Sequence, residues 1–430
     1  MHTSYLKTKS VPDRVYLRER ASEPAPQRRS TSSRGGRGES SPRSDTARKS
    51  AKTSEKKGNI FVGMGIYLPF LLLVLALLAI GIIMMFSASY PTAYSAKGDS
   101  YYYLKRQLIF AVIGIGCMIG ISYLDYRVFF KWAKVLLGVS YGVLVVVLFM
   151  PSQSGIKRWI GVGNFTIQAS EITKFCIIVF LAFWGTKYAE KMKYIKYGFL
   201  PGAVLFITTA ALLLLEPHYS CIVIVFLLVL IMLYLAGLPV KYFLIIGVGA
   251  VVAFLILLPT GVLGYAMTRM DGWGQALEYT TDEMWQTTWQ TRNSLYAIGS
   301  GGLWGLGLGQ SRQKYLYLPE PQNDFVFAVV CEELGLIGAV VILLLFAALV
   351  WQGFKIAMGA SDNFGKLLAA GLSAQVGLQV ILNVLVITDW LPNTGISLPF
   401  FSYGGSSLIM LLAQMGIVLS VSRSSKVEKV

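Results

Sequence analysis

Charged residues are scarce in this 430-residue chain: Asp, Glu, Lys and Arg make up 14% of it, against 55% hydrophobic residues. A soluble protein carries roughly 25% charged residues, because its surface has to be hydrated. So little charge excludes an ordinary soluble fold, whereas a surface that faces lipid accommodates the excess of apolar side chains. We therefore predict a membrane protein.

Histidine and cysteine are also rare. The two histidines are His2, in the polar N-terminal segment, and His218, so no Ser–His–Asp triad can be assembled and any nucleophile has to belong to the substrate. The four cysteines lie within or at the edge of apolar segments, without Cys-x-x-Cys spacing, at Cys117, Cys176, Cys221 and Cys331. Neither a disulfide framework nor a cysteine and histidine metal site is predicted.

The first 58 residues have no apolar stretch long enough for a signal peptide. They hold 15 Lys and Arg against 6 Asp and Glu, which accounts for +9 of the net charge of +16. We predict a disordered basic tail at residues 1–58, a membrane domain at 59–422 and a short tail at 423–430. The basic tail adjoins a membrane span, so attraction to anionic membrane lipids is favoured and no nucleic acid partner is expected.

Ten apolar segments meet or approach the roughly 20 residues that a helix needs to cross a bilayer. They lie near residues 64–88, 107–124, 133–150, 170–186, 198–215, 219–237, 241–259, 325–351, 367–388 and 397–421. We predict an all-α, polytopic membrane protein with about ten transmembrane helices. Lys and Arg are concentrated in the connections on the side of the two termini, and this bias places both termini in the cytoplasm. The connections 151–170 and 260–324 are then extracytoplasmic.

The long connection 260–324, which we expect to be non-helical, carries two unusual sequences. The tryptophan-rich stretch Met284-Trp-Gln-Thr-Thr-Trp-Gln either lies in the headgroup region or acts as a simple aromatic anchor. The segment from Gly299 to Gly309 is too rich in glycine for a stable helix, and we predict that it turns tightly or approaches a ligand closely. It lacks a preceding strand and a Gly-Lys-Ser/Thr ending, so it is not a nucleotide-binding loop.

Ionisable residues at membrane depth are costly, and each is a candidate functional residue. Glu171 and Lys174 are three positions apart at the start of the fourth span, so they can pair on one helix face. For Glu171 a structural role near a helix N-terminus is as strong as a functional one, whereas a functional role is favoured for Lys174. Glu332 and Glu333 indicate either a proton path or a polar cavity.

Asp324 lies where a proline-bounded loop enters the eighth span, in Leu318-Pro-Glu-Pro-Gln-Asn-Asp-Phe-Val-Phe. Its position alone favours a helix N-cap over a catalytic role, because Asp is a preferred capping residue. A second unusual segment, Leu391-Pro-Asn-Thr-Gly-Ile-Ser-Leu-Pro-Phe-Phe-Ser-Tyr-Gly-Gly-Ser-Ser, carries two prolines and paired glycines at the last span. Broken helices are tolerated in membranes only beside protein or a water-filled cavity, so we predict a cavity near the outer leaflet.

Together, these segments resemble the SEDS family (shape, elongation, division and sporulation), in particular its FtsW-like division and sporulation branch. The motifs, spread over residues 64–422, are Arg158-Trp-Ile, Gln168-Ala-Ser-Glu-Ile-Thr-Lys, Gly301-Gly-Leu-Trp-Gly-Leu-Gly-Leu-Gly-Gln-Ser, Leu318-Pro-Glu, Asp324-Phe-Val-Phe, Glu332-Glu-Leu-Gly and Pro399-Phe-Phe-Ser-Tyr-Gly-Gly-Ser-Ser. Two sites depart from the family pattern. Ala169 stands where proline is usual, and Glu216-Pro-His-Tyr-Ser stands where many members have Gln-Pro-Asp-Leu-Gly, so no role is carried over to that site.

The resemblance implies an inverting peptidoglycan glycosyltransferase that polymerises lipid II, the undecaprenyl-pyrophosphate-linked disaccharide peptide, at the outer face of the bacterial cytoplasmic membrane. It also implies a class B penicillin-binding transpeptidase and other divisome membrane proteins as partners, at the division septum. Asp324 matches the family's essential acidic residue, and Glu171 and Lys174 match its conserved pair. The candidate substrate-binding residues are Arg158, Trp159, Gln168, Ser170, Gln310, Ser311, Lys314, Ser402, Tyr403, Gly404, Gly405 and Ser406.

Joining two lipid-linked sugars requires a base that takes the proton of the acceptor hydroxyl while lipid pyrophosphate leaves the donor. We expect Asp324 to be this base, with its pKa raised by partial desolvation and its carboxylate restrained by Lys174. No cofactor is certain: basic residues of the outer loops or a divalent cation, Mg or Mn, could hold the pyrophosphate. A lipid II flippase, with Glu332 and Glu333 as a proton relay, and a non-catalytic division scaffold are the alternatives.

Overall fold

The computed structural model describes residues 65–150, 158–162, 165–257, 272–278 and 281–425, together with residues 267 and 270. The predicted basic tail lies outside the described residues. Most of the described chain is helical, and the prediction of an all-α membrane fold is confirmed. The one addition is a two-stranded antiparallel hairpin, formed by β1 (Trp159–Val162) and β2 (Phe165–Gln168).

Ten long helices coincide with the ten predicted apolar segments, and two shorter ones precede the eighth. In chain order the helices with both ends described are α1 (Leu68–Lys97), α2 (Tyr102–Tyr123), α3 (Arg127–Phe149), α4 (Ala169–Lys187), α5 (Phe199–Leu215), α6 (Tyr219–Leu235), α7 (Lys241–Leu257), α8 (Asp282–Thr287), α9 (Trp289–Gly301), α10 (Val326–Gly359), α11 (Asn363–Ile387) and α12 (Gly405–Ser424). Seven helices of the described part are long and apolar enough to cross a membrane. A total of ten spans therefore stays a prediction, because α5, α6 and α7 have 17 residues each.

Several helix ends differ from the prediction: α1 ends at Lys97 and α10 at Gly359, beyond the predicted ends at residues 88 and 351. Two further differences change the structure of a whole segment. The last span was expected to begin at residue 397, but α12 begins at Gly405, because the preceding residues form an irregular segment that contains Pro399. The connection 260–324 was expected to be non-helical, and this is wrong for its described part, which contains α8 and α9. The helix α9 even extends through Gly299 to Gly301, so the glycine-rich segment becomes non-helical only after that residue.

Three helices form the interior of the bundle. Within their most apolar stretches, 72% of the residues of α4 and of α11 are buried, as are 67% of those of α12. Polar side chains are nevertheless buried in these helices, notably Gln375, Gln379 and Asn383 of α11 and Gln414 of α12. Buried polar side chains need hydrogen-bond partners, so this interior is where a polar site can be built.

The helix α10 is kinked at Gly335, whose φ of 66° and ψ of −172° suit glycine. A kink frees backbone groups that a straight helix would pair, and the loop after α9 pairs them here. Three amide-to-carbonyl hydrogen bonds of 2.9–3.0 Å join loop and kink: Leu306 to Glu332, Gly307 to Glu333, and Leu336 to Gly302. Irregular backbone is tolerated beside a membrane in this way, because protein satisfies its polar groups.

The glycines of this loop allow close contact between two backbones. A Cβ atom on Gly305 would lie 2.2 Å from the carbonyl oxygen of Glu333, and one on Gly335 would lie 2.3 Å from the amide nitrogen of Gly305. Positive φ angles at Gly302, Gly305 and Gly307 show the tight turns that the glycine density predicted. The close approach, however, is to the backbone of α10.

Candidate active site

Asp324 lies in a turn two residues before α10 begins. The N-cap residue of that helix is Phe325, whose side chain makes no capping hydrogen bond. Asp324 therefore lies one position before the N-cap position that its place in the sequence suggested. Asp324 is only partly buried.

The irregular segment before α12, residues 391–404, lies directly against Asp324. Nδ2 of the buried Asn383 donates hydrogen bonds to the carbonyl oxygens of Asp324 (2.8 Å) and Ile396 (2.6 Å), so one amide joins the two segments. A Cβ atom on Gly395, where φ is 69°, would lie 2.9 Å from Oδ2 of Asp324. The carboxylate is thus held beside backbone that has no room for a larger side chain.

Glu171 and Lys174 form the ion pair that their spacing predicted, in the first two turns of α4. Nζ of Lys174 lies 2.7 Å from Oε1 of Glu171, and their side chains are 3% and 12% exposed. Among the ion pairs of the described residues, Lys174 is paired with Glu171 and not with Asp324. The expected restraint of Asp324 by a direct contact with Lys174 is therefore not seen.

A cavity of about 30 Å³ lies between α4, α11, α12 and the irregular segment. Its lining includes the Glu171 carboxylate, the amides of Gln375, Gln379 and Gln414, and Ser397. This volume accommodates about two water molecules, and the site is polar enough to hold them. The cavity lies beside the segment whose prolines and glycines predicted one.

The irregular segment connects this cavity with Asp324. Gly395, which abuts the Asp324 carboxylate, is two residues from Ser397, which lines the cavity with Glu171. Two residues of extended chain span at most about 7 Å. Asp324 and Glu171 therefore border one stretch of backbone, and Lys174, the third residue predicted as catalytic, is paired with Glu171.

Several predicted substrate-binding residues lie at the same place. Gln107 of α2 donates to the Ser402 carbonyl oxygen (3.3 Å) and accepts from the Gly404 amide (3.4 Å), which fixes the end of the irregular segment. Ser406, in the first turn of α12, accepts a hydrogen bond from the Gln168 amide (3.2 Å). The hairpin that leads into α4 is thereby joined to the N-terminus of α12.

Tyr403 links the irregular segment to the turn that carries Asp324. Its amide donates to the Gln322 carbonyl oxygen (2.8 Å), two residues before Asp324. Its ring packs edge-on against Tyr103, with 4.8 Å between ring centroids. Burial raises the pKa of the Tyr403 hydroxyl. The next two residues, Gly404 and Gly405, lead directly into α12.

Arg158 and Trp159 stand at the start of the hairpin. A guanidinium nitrogen of Arg158 donates to the Pro217 carbonyl oxygen, and Trp159 is paired with Gln168 across the hairpin. Ser170, which follows at the start of α4, is 1% exposed. These predicted residues therefore surround the N-terminal end of α4, near the Glu171–Lys174 pair.

The departure from the family pattern at residues 216–220 lies beside Arg158. Glu216 is fully buried, and its two carboxylate oxygens have no hydrogen-bond partner among the described residues. Burial raises the pKa of Glu216 to about 7, and the charge of Arg158 opposes the rise. Burial also lowers the pKa of His218 well below its ordinary value, with smaller contributions from Arg158 and Lys174.

Ser311 and Lys314, also predicted to bind substrate, lie in a different cluster. Nζ of Lys314 is 2.9 Å from Oε1 of Glu333, and it also donates to Ser87 Oγ (3.1 Å) and to the Gly309 carbonyl oxygen (2.8 Å). The Glu333 carboxylate accepts further bonds from Ser87 (2.7 and 2.8 Å). This network holds the glycine-rich loop against α10, so it explains why a cation and an acid are buried there.

Glu332 is occupied in the same way. Its carboxylate accepts hydrogen bonds from the Ser311 hydroxyl and from the backbone amides of Arg312 (2.9 Å) and Gln313 (3.3 Å). Gln310 is exposed in the same loop. Glu332 and Glu333 therefore hold the glycine-rich loop. Among the hydrogen bonds of the described residues, none joins Gln310, Ser311 or Lys314 to the Asp324 carboxylate.

The residues that the sequence reasoning missed are buried amides. Asn383 and Gln107 hold the irregular segment, and three further glutamines line the cavity. Their signal is present in the sequence, because Gln and Asn side chains within apolar spans form hydrogen bonds between helices, but these positions belong to none of the motifs that indicate the family. Within the described ranges no three His, Cys, Asp or Glu side chains are grouped so as to hold a metal ion.

Comparison with known proteins supports the resemblance. The model of the FtsW, RodA and SpoVE family, described as "Cell cycle protein", matches residues 68–427. Stage V sporulation protein E of Bacillus subtilis (strain 168) is 40% identical over 365 residues, which cover 83% of this chain and 98% of that protein. The probable peptidoglycan glycosyltransferase FtsW of Trichlorobacter lovleyi is 37% identical over 363 residues, covering 84% and 93%.

Solved structures share the fold. The crystal structure of the rod shape determining protein RodA of Thermus thermophilus matches with a TM-score of 0.60 and 27% identity, over 84% of this chain and 97% of that one. A chain from a structure described as "Structural coordination of polymerization and crosslinking by a peptidoglycan synthase complex" matches with a TM-score of 0.64 and 27% identity, over 82% and 96%. The chain therefore belongs to the FtsW, RodA and SpoVE family of cell cycle proteins, which is the SEDS family identified from its motifs.

Proposed function

We propose that this protein is an inverting peptidoglycan glycosyltransferase that polymerises lipid II into glycan strands at the outer face of the bacterial cytoplasmic membrane. The observation that carries the proposal is the position of Asp324. Its carboxylate lies against Gly395, on a segment that also borders the polar cavity beside Glu171. The name of the FtsW relatives, probable peptidoglycan glycosyltransferase, supports the same activity.

Asp324 acts as the general base. It accepts the proton of the acceptor sugar hydroxyl as the oxygen attacks the anomeric carbon of the donor, and lipid pyrophosphate leaves from the opposite side. No enzyme nucleophile takes part in this single displacement, so the configuration at the anomeric carbon inverts. Asp324 is partly exposed, so its carboxylate can reach a substrate.

Lys174 and Glu171 act beside this base. The Lys174 ammonium is neutralised by Glu171 and buried, so it is held in place and its field is little screened by water. We assign to it the orientation of the substrate, together with Arg158, Trp159, Gln168, Ser170 and the segment Ser402–Ser406. Ser311 and Lys314 contribute indirectly, because they hold the glycine-rich loop.

We also propose a class B penicillin-binding transpeptidase as partner and the division septum as the location. The matching peptidoglycan synthase complex coordinates polymerization and crosslinking, and this supports a partner that crosslinks. One relative is named for sporulation and is 40% identical to this chain, and another is named FtsW and is 37% identical to it. A septal role in division or in sporulation fits both names. A fluorescent fusion at the septum is expected; an even distribution along the cell would contradict the location.

The activity is tested with the purified full-length chain in liposomes that contain lipid II, with and without the transpeptidase. We expect glycan strands on a gel, and more of them when the partner is present. Lipid II that crosses the bilayer without polymerising would instead favour the flippase. Glu332 and Glu333 give that alternative little support, because their carboxylates are occupied by Lys314 and by loop amides. Absence of glycan with the partner present would contradict the proposal.

A further inference from the structure

A groove of about 380 Å³ lies on the outer loops, and we call it the loop groove. It is lined by Trp273, Gln286, Trp289, Gln290, Pro319 and Asn393, among others. This volume is in the range of small-molecule sites, which measure about 300–1,000 Å³. Nothing in the proposed catalytic steps uses it.

The loop groove is a preorganised site. Nδ2 of Asn393 donates to Oε1 of Gln290 (2.7 Å), and Nε1 of Trp273 donates to the Asp389 carbonyl oxygen (3.2 Å). The Trp289 ring centroid lies 5.3 Å from the buried guanidinium of Arg292. Trp289 thus borders the groove beside a charged neighbour of its own helix, α9.

The chemistry of the groove suits a neutral sugar ring. Trp273 and Trp289 are 44% and 38% exposed, so each offers part of an aromatic face. Amides such as those of Gln286 and Gln290 both donate and accept hydrogen bonds, as hydroxyl and acetamido groups require. Among the described residues that line the groove there is no Lys, Arg or His, so a pyrophosphate or a peptide carboxylate would lack a counter-charge there.

The groove lies close to Asp324. Asn393 is two residues from Gly395, which abuts the Asp324 carboxylate, and two residues span at most about 7 Å. Its lining residues lie before α10 begins and after α11 ends at Ile387. A sugar unit next to the one that reacts at Asp324 is therefore within reach of this groove.

We propose that the loop groove binds sugar units of the growing glycan strand, adjacent to the unit that reacts at Asp324. This inference rests on the proposed polymerase function and adds to it a strand-binding subsite. Trp273 and Gln286 are then specificity-determining residues, and Asp389 is a positioning residue, because the amides of Gly274 and Ala276 donate to its carboxylate and hold Trp273 in place.

Binding is measured directly with tetra-N-acetylchitotetraose, a soluble N-acetylated sugar oligomer, by saturation-transfer NMR on the full chain in nanodiscs. We expect the wild type to bind the probe, and Trp273→Ala or Gln286→Ala to weaken binding roughly fivefold to tenfold. Trp273→Phe, which keeps an aromatic face, should retain most of the affinity. The matched control is Trp304→Ala, because Trp304 is 80% exposed in the glycine-rich loop and outside the groove, and it should bind as the wild type does.

The same variants are then compared in lipid II polymerisation. Trp273→Ala should produce shorter strands than the wild type does, because later sugar units lose their subsite. The inference would be overturned if the wild type did not bind the probe at millimolar concentration, or if Trp273→Ala and Gln286→Ala bound it as tightly as the wild type does. It would also be overturned if these variants lost binding of the transpeptidase while their binding of the probe stayed intact. That last result would assign the groove to a protein partner.

The groove and the proposed function can fail separately. A wild-type chain that binds the probe but makes no glycan from lipid II would contradict the polymerase and leave the sugar site in place. A chain that polymerises lipid II but does not bind the probe would contradict the sugar site alone. Asp324→Asn provides the internal check, since it should stop polymerisation and leave probe binding unchanged.

Discussion

Replacing Lys314 with methionine removes the cation that neutralises Glu333 inside the bundle. The two side chains are 3% and 0% exposed, and their charged atoms are 2.9 Å apart. Lys314→Met keeps the length of the side chain and its apolar stem. It leaves a buried carboxylate without a counter-charge, and it takes one donor each from Ser87 and from the Gly309 carbonyl oxygen.

Removing one partner of a buried ion pair costs about 3–5 kcal/mol, because the remaining charge stays desolvated. Glu333 keeps its bonds from Ser87 and from the Ser311 amide, which places the expected loss towards the lower end, at roughly 3 kcal/mol. Such a loss is a large part of the free energy of unfolding of an ordinary domain, which is about 5–15 kcal/mol.

The assay is thermal unfolding of the purified protein in detergent, followed by polymerisation of lipid II at a temperature where the variant is folded. The double variant Lys314→Met/Glu333→Gln should recover part of the lost stability, because its buried partner is neutral. A Lys314→Met protein that unfolds as the wild type does but fails to polymerise lipid II would refute this reasoning. It would make Lys314 a substrate-binding residue, as the family resemblance implied.

Three further predictions concern a titrating acid, a glycine and the orientation. Because burial raises the pKa of Glu216 from 4.5 to about 7, the folded state favours the neutral acid, and its stabilising effect is lost as the pH rises from about 4.5 to 7. Thermal unfolding should therefore give Glu216→Gln a free energy of unfolding up to about 3 kcal/mol higher than that of the wild type near pH 8, and an equal one near pH 4. Equal free energies of unfolding at every pH would contradict the raised pKa of Glu216. Gly335→Ala should abolish folded protein in size-exclusion profiles, because its Cβ would lie 2.3 Å from the Gly305 amide, whereas Gly116→Ala, with open space around it, should be tolerated. Reporters should be cytoplasmic after Val430 and extracytoplasmic near Glu278, and the reverse would overturn the orientation.

The apolar helices were predictable because hydropathy is a local property. Each predicted segment lies on a helix, and the spacing of Glu171 and Lys174 was enough to predict their ion pair. The start of α12 was missed because residues 397–404 are held by distant partners such as Gln107, and periodicity contains no information about them. The irregular segment was nevertheless recognised from its prolines and glycines.

The contacts of the acids at the start of α10 could not be predicted locally. Glu332 and Glu333 indicated a proton path or a polar cavity, because their partners, Ser311 to Lys314, are about 20 positions upstream in a loop that folds back on α10. The sequence favoured an N-cap role for Asp324 because this residue precedes α10 by two positions. The N-cap residue is the next one, Phe325, and sequence patterns do not locate a helix end to within one position. For Glu332 and Glu333, the tertiary arrangement of the loop determines which groups their carboxylates contact.

The central claim is that the Asp324 carboxylate accepts a proton from the acceptor sugar. Asp324→Asn keeps the size of the side chain and the bond from Asn383, which goes to the backbone carbonyl of residue 324, and it removes the ionisable carboxylate. Lipid II polymerisation by the purified, correctly inserted variant, measured beside the wild type with the same partner, is the direct test. The account predicts a rate roughly 100- to 10,000-fold lower, the usual contribution of a general base. Polymerisation at a near-normal rate would contradict it.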